Sequence, residues 1–311
     1  MRKTTFQHLL VIGLFALTNS AYGQGCSDAG FCTLNSFKPA ASAHAEHLEN
    51  KTEQSRNQIK VGTSFGTADN SIIVLGNYIE YNRILNKKIS LDAKVTTLLQ
   101  NGNSISSFGF ADAFLNANYT FSDNIKATVG CKIPFTKATQ TKDNLALPMD
   151  YQASLGTFDL ILGLGYKFKN LQLVLALQQP LTQNDNAYLA RLYPTDSKLS
   201  QFQSTNKFKR SADILFRVAY PIKINNKFNI TPSVLPIYNL TNYKYTNELN
   251  IENEIANSNG LTLNANIYFD YEFNSNQALQ LNVGMPFVTR KTRPDGLTRS
   301  FVANLEYRFK F

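Results

Sequence analysis

From residue 57 onward, apolar and polar residues alternate with a period of two, the spacing of a strand with one face in an apolar medium and one in a polar medium. Leu261, Leu263, Ala265, Ile267, Phe269, Tyr271 and Phe273 fall on one face, against Thr262, Asn264, Asn266, Tyr268, Asp270 and Glu272. Leu279, Leu281, Val283, Met285 and Phe287 likewise oppose Gln280, Asn282, Gly284 and Pro286. The alternation predicts strands at 57–67, 71–85, 88–101, 106–122, 124–136, 155–168, 171–183, 209–224, 227–246, 259–274, 277–290 and 298–311. Five connections are tight polar turns: Asn86-Lys87, Ser122-Asp123-Asn124, Lys169-Asn170, Asn225-Asn226 and Asn274-Ser275-Asn276. They alternate strictly with six others, of which 137–154, 184–208, 247–258 and 291–297 are long. Outer-membrane barrels sort their connections in this way, with short periplasmic turns and longer external loops. A soluble sandwich has no reason to do so. In lipid every backbone N–H and C=O must be paired internally, so a spanning sheet has to close on itself. The pattern therefore predicts an all-β fold, a transmembrane antiparallel β-barrel of about twelve strands, with an N-terminal extension. Pro134, Pro180, Pro232, Pro236 and Pro286 within or near strands each remove a ladder hydrogen bond, so bulges or strand ends are expected there.

The two ends of the chain carry separate signals. Arg2 and Lys3, the apolar run Leu9 to Leu17 and the small residues around Ala21-Tyr22-Gly23 read as a signal peptide, residues 1–23. That run is too short for a membrane-spanning helix, and the charge and cleavage site disfavour a buried core helix. A lipoprotein start at Cys26 is disfavoured, because Gly23-Gln24-Gly25 has no apolar residue three places before the cysteine. Residues 24–56 are expected to be a periplasmic extension or a lumen plug, and 57–311 the barrel. The last strand sets Phe301, Ala303, Leu305, Tyr307, Phe309 and Phe311 against a mostly polar face. It resembles the C-terminal strand by which the barrel-assembly machinery recognises outer-membrane proteins, with Tyr307, Phe309 and Phe311 as the signal. Location in the outer membrane of a Gram-negative cell, in contact with its lipid, follows from these readings.

Composition narrows the function. The aromatic residues are 15 Tyr and 22 Phe with no Trp, suited to interfacial girdles. A net charge of +9, or +7 without Arg2 and Lys3, comes from Lys and Arg scattered singly along alternating strands. An exported chain of this kind is not expected to bind nucleic acid. The three histidines are His8, His44 and His47, none of them in a predicted strand or external loop. A histidine-dependent hydrolase site at the barrel rim is therefore not expected, and no catalytic residue or cofactor is assigned. His44, Glu46 and His47 with Cys26 and Cys32 match no zinc spacing. Cys26 and Cys32 are candidates for a small disulfide loop in an oxidising compartment, and Cys131 is expected on the apolar face of its strand.

Short motifs in the middle of the chain carry a resemblance. Phe110-Ala111-Asp112-Ala113-Phe114-Leu115 runs into Asn118-Tyr119-Thr120-Phe121, followed by Gly130-Cys131-Lys132-Ile133-Pro134, Gly156-Thr157-Phe158-Asp159-Leu160 and Gly163-Leu164-Gly165-Tyr166. These resemble the outer-membrane family of the meta-pathway of phenol degradation, within the FadL-like superfamily, over about residues 60–180. The resemblance implies a channel for hydrophobic or aromatic compounds, and an N-terminal hatch of the FadL kind for the Cys26–Cys32 segment. The barrel itself looks smaller than a fatty-acid transporter's.

The parity of the strands assigns an interior. It directs inward Lys60, Glu80, Asp92, Lys94, Asp112, Lys126, Lys132, Asp159, Lys167, Asp213, Arg217, Asp270, Glu272, Glu306, Arg308 and Lys310. Such residues serve either as a salt-bridge network filling a narrow barrel or as selectivity elements of a conducting lumen. Phe110, Phe114, Ile161, Leu215 and Tyr268 are assigned inward as well, which suits an amphipathic passenger. Arg191, Lys198 and Lys207 in one loop and Arg290, Lys291 and Arg293 in another point to an electropositive outer mouth, weakened by Glu248, Glu252 and Glu254. Passive transport of small amphipathic or aromatic solutes is the expected function. The alternative is a non-conducting structural barrel that docks an envelope partner.

Overall fold

A computed structural model describes residues 34–39, 55–295 and 300–311. The signal peptide and both Cys26 and Cys32 lie outside the described residues. Twelve strands form one antiparallel barrel: β1 (Asn57–Thr67), β2 (Ile73–Ile84), β3 (Ile89–Gly102), β4 (Ile105–Ser122), β5 (Ile125–Pro134), β6 (Asp159–Phe168), β7 (Leu171–Pro180), β8 (Asp213–Ala219, continued by Ile222–Lys223), β9 (Phe228–Asn239), β10 (Gly260–Glu272), β11 (Gln277–Val288) and β12 (Phe301–Lys310). Each strand pairs with its sequence neighbour, and β1 pairs with β12 from Gln58↔Lys310 to Thr67↔Phe301, which closes the wall. Asn57 and Phe311 exchange both backbone hydrogen bonds, 3.1 and 2.9 Å, so the seam is sealed to the last residue. Closure leaves no sheet edge, the condition that lipid imposes.

The outer surface is a belt of exposed Leu, Ile, Val, Phe and Tyr. At the end where β1 begins and β12 finishes, same-face aromatic pairs Tyr119–Phe121, Tyr271–Phe273 and Phe309–Phe311 lie 4.8, 5.1 and 5.9 Å apart between ring centres, part of an interfacial girdle. The five tight turns all sit at this end, called here the turn end. The opposite, loop end has two short connections, 68–72 and 103–104, and longer ones at 135–158, 181–212, 240–259 and 289–300. Side chains from the three longest of these fold onto the inner wall and build an apolar core with Ile72, Val74, Leu98 and Ile105, through Met149, Tyr151, Tyr188, Phe202, Phe208 and Tyr243.

The prolines fall where the ladder lets them. Pro134 and Pro180 close β5 and β7. Pro286 borders a register shift in which Leu263↔Val288 is followed by Asn264↔Pro286. Pro236 sits in the gap of the β8–β9 ladder between Leu215↔Ile237 and Val218↔Val234, because it has no N–H to give. A further bulge, between Val95↔Ala113 and Thr97↔Phe110, buries Ala111 and Asp112 in succession. It reverses the parity of β4, so Phe110 faces outward at 58% exposure rather than inward as the alternation suggested.

Candidate functional site

Inside the turn half of the barrel, charges from β10, β12, β1, β2 and β3 link into a belt, joined by Asn118 of β4. Lys60 lies 3.7 Å from Glu80, and Glu80 is the cross-strand partner of Lys94. The Asn82 amide donates to Glu80 and Asp92 at 2.9 and 2.8 Å, and Asn118 donates to Asp92 at 2.8 Å. On the other side Arg308 holds Glu306 at 2.7 Å and Asp270 at 3.3 Å, and Gln280 donates to Asp270 at 2.8 Å. The Tyr78 hydroxyl donates to Glu306 at 2.5 Å, and the Lys94 ammonium lies 4.2 Å from the centre of the Tyr78 ring. Glycine at 62 makes room for that ring, since a Cβ there would come within 2.2 Å of it.

A second network sits at the loop end. Asp159 is 3.0 Å from Lys132 and 2.9 Å from Arg210, and accepts from Gln178 at 2.5 Å. Arg210 also reaches Asp213 at 3.4 Å and the Thr157 hydroxyl at 3.0 Å, and Asn239 donates to Asp213 at 2.9 Å. Asp112 accepts from Ser154 of the 135–158 loop at 2.7 Å.

The inward assignment of Asp92, Lys94, Asp112, Lys132, Asp159, Asp213, Arg217, Asp270 and Glu306 matches their burial, all at 5% exposure or less. Arg308 joins the belt from a half-buried position, while Lys167 lies half-buried near the turn-end rim. Arg210, Tyr78 and Asn118 were not singled out from the sequence. Arg210 falls inside the predicted strand 209–224, but β8 begins only at Asp213, so parity does not govern it, and a tyrosine or an asparagine on a polar face carries no distinctive signal.

Part of the 24–56 stretch lies within the turn half. Asn35–Phe37 form one 3-10 turn. The backbone N–H of Asn35 donates to Glu80 at 3.3 Å, and the Ser36 hydroxyl donates to Asp92 at 2.9 Å. Arg217 donates to the carbonyl oxygen of Phe37. The Lys38 ammonium meets Glu306 at 2.6 Å and the Tyr78 hydroxyl at 3.2 Å. Leu34 and Phe37 pack with Phe114, Ile161, Leu215, Leu235 and Ile237 in an apolar patch on the interior wall. Gly163 admits the Phe37 ring, because a Cβ there would lie 2.2 Å from a ring carbon.

At the loop end three of the six basic residues expected at an electropositive mouth are paired with carboxylates. Arg290 turns inward to Asp295 at 2.7 Å and to the Ser258 carbonyl at 2.6 Å. Arg293 pairs with Asp69 at 2.6 Å, and Arg191 with Glu248 at 3.4 Å. Burial in the loop core pushes the Asp150 carboxyl up to about 7. Burial also raises Asp69, which Arg293 opposes. Among the described residues no cluster of His, Cys, Asp and Glu is arranged to hold a metal ion.

No family model matches the chain, and no curated protein sequence matches it. Solved structures do resemble it. An outer-membrane channel from Pseudomonas putida F1 superposes with a TM-score of 0.55 and 12% identity, over 83% of this chain and 96% of that one. The NanC porin gives 0.46 and 10%, over 82% and 100%, and a Pseudomonas aeruginosa FadL homologue gives 0.39 and 12%, over 82% and 76%. Of the three, only the first is similar enough in shape to bear on the fold. With the lipid-facing belt and the closed wall, that similarity makes this chain an outer-membrane β-barrel.

Proposed function

We propose that the chain is an outer-membrane channel through which small amphipathic solutes, aromatic ones among them, diffuse passively. The reading rests on a strip of neutral polar side chains along the inside of β9, β10 and β11. Thr231, Ser233, Asn264, Asn266 and Asn282 are buried, yet the hydroxyl of each of the first two and the amide oxygen of each asparagine have no hydrogen-bond partner among the described residues. Each of these atoms has less than 1 Å² open to solvent and keeps an unused donor or acceptor, polar capacity that a passing solute or the water it carries can satisfy. The strip spans three adjacent strands, with Ser233 opposite Asn266, Thr231 opposite Tyr268, and Tyr268 opposite Asn282. The apolar patch around Phe114 and Ile161 supports an amphipathic passenger, because it offers a wall for a nonpolar group beside a polar strip. The resemblance to the phenol meta-pathway family supports the aromatic preference.

In this reading Asp92, Lys94, Asp112, Lys132, Asp159, Asp213, Arg217, Asp270, Glu306 and Arg308 set selectivity, and Lys167 acts at the rim. Tyr307, Phe309 and Phe311, exposed on the outer surface of the last strand, serve the assembly machinery. One observation favours the non-conducting alternative: three external loops share a single apolar core with the inner wall. Single-channel conductance of the refolded mature chain in planar bilayers, with and without residues 24–56, separates the two. Discrete steps in either form support a channel. Silence in both forms, together with no swelling of solute-loaded liposomes, overturns it.

A further inference from the structure

We propose that the turn half of the bore is a binding site for small amphipathic organic cations, and that Leu34–Pro39 is its built-in occupant. This deepens the channel reading and rests on it for the route by which a ligand arrives. The chemistry is read from what holds the segment. The Lys38 ammonium sits between the Glu306 carboxylate, at 2.6 Å, and Tyr78, whose hydroxyl is 3.2 Å away and whose ring centre is 5.4 Å away. A carboxylate beside an aromatic face is the arrangement that recognises organic ammonium groups. One residue earlier, Phe37 lays its ring against Gly163 in the apolar patch while Arg217 binds its carbonyl oxygen. The segment thus presents a cation, a carbonyl acceptor and a nonpolar group to three matching features of the wall.

The contact at Glu306 makes the cation the decisive part. Among the described residues, fully buried strand positions carry seven carboxylates against four cations. Half-buried positions of the same wall add Lys126, Lys167, Arg308 and Lys310 against Glu272, so the deficit is confined to the fully buried part. Two further positive charges enter from outside the strands: Arg210 between Asp159 and Asp213, and Lys38 at Glu306. Arg210 is anchored a few residues before β8, whereas Lys38 belongs to a segment outside the barrel strands. When Lys38 leaves, Glu306 keeps Arg308 and the Tyr78 hydroxyl but loses its nearer cation, and a buried carboxylate in low dielectric draws in a replacement. The ligand that meets the whole site is a small molecule with an ammonium group next to a nonpolar group.

The test is calorimetric titration of the full mature chain in detergent with phenethylammonium, using 2-phenylethanol as its uncharged counterpart. Lys38→Met keeps the length of the side chain and removes the competing charge. The expected result is at least tenfold tighter binding of phenethylammonium to Lys38→Met than to the unsubstituted chain. The alcohol should show no such gain, and Glu306→Gln in the Lys38→Met background should abolish it. Equal gains for ammonium and alcohol, or no gain for either, overturn the proposal. The ammonium-to-alcohol comparison needs no change at Glu306, so it stands even where Glu306→Gln fails to fold. Because binding is read without conduction, a silent barrel that prefers the ammonium sinks the channel reading and keeps the site. A conducting barrel that does not discriminate does the reverse.

Discussion

Replacing Gly163 with alanine places a methyl group on the inner wall of β6, 2.2 Å from one carbon of the Phe37 ring and 2.7 Å from the next. Real Cβ atoms essentially never come closer than 3.0 Å to such neighbours. The ring has no room to slide, being 1% exposed and enclosed by Leu34, Phe114, Ile161 and Leu215. It must therefore leave the patch. Full burial of a phenylalanine side chain is worth about 1.5–3 kcal/mol, so the equilibrium between seated and released segment shifts roughly 10- to 150-fold toward release. Lys38 and Ser36 keep their contacts with Glu306 and Asp92, so the segment loosens rather than departs. Amide hydrogen exchange over residues 34–39 reads the shift directly, and the open fraction in planar bilayers reads its consequence. Phe37→Ala should release the segment to a similar extent. In the Gly163→Ala/Phe37→Ala double variant the clash is gone, so the two effects should not add. Unchanged exchange in Gly163→Ala, or full additivity in the double variant, would refute the contact on which this reasoning depends.

Three further outcomes are expected. Asp159→Asn leaves Lys132 and Arg210 buried together without the carboxylate between them, a loss of about 3 kcal/mol, visible as a lower urea midpoint of the refolded barrel in detergent; an unchanged midpoint would show that this network contributes nothing. The Asp150 carboxyl, held up at about 7 by burial, favours its neutral form in the folded loops. Because its folded value lies above its unfolded one, its contribution is complete below about pH 4 and is lost as the pH rises through about 7; protease sensitivity of the 135–158 loop should rise over that window, and Asp150→Asn should flatten the profile. Asn266→Leu puts an apolar side chain in the polar strip and should lower conductance by at least about threefold through local dewetting, without changing the heat-modifiable gel shift of the folded barrel; conductance equal to the unsubstituted chain would move the solute path elsewhere.

Much of the wall was legible beforehand because a barrel strand is a local object. Alternation along Leu261–Phe273 fixes which residues meet lipid, and the short Asn-rich turns fix which strands are neighbours. The interior was legible at the same level: Asp92, Lys94, Asp159 and Glu306 face inward by parity alone. Parity fails where one residue is inserted. The bulge at Ala111–Asp112 turns Phe110 to the lipid, and the local pattern of Phe108, Phe110 and Phe114 gives no sign of where the phase changes. Pairing at the mouth was hidden for another reason. Arg290 and Arg293 find Asp295 and Asp69, and the second partner lies far away in the sequence.

The sequence by itself thus determined a twelve-stranded closed wall, its lipid face and its polar interior, since each depends on neighbouring residues and on the rule that backbone polar groups in lipid must pair. Only the tertiary structure decided what the interior holds. Lys38 meets Glu306, Phe37 fits against Gly163, and Arg210 reaches Asp159 across gaps of chain that no periodicity spans. A strand's facing is set by the residues beside it, whereas the partner of a buried charge is set by whichever segment the closed barrel brings within reach.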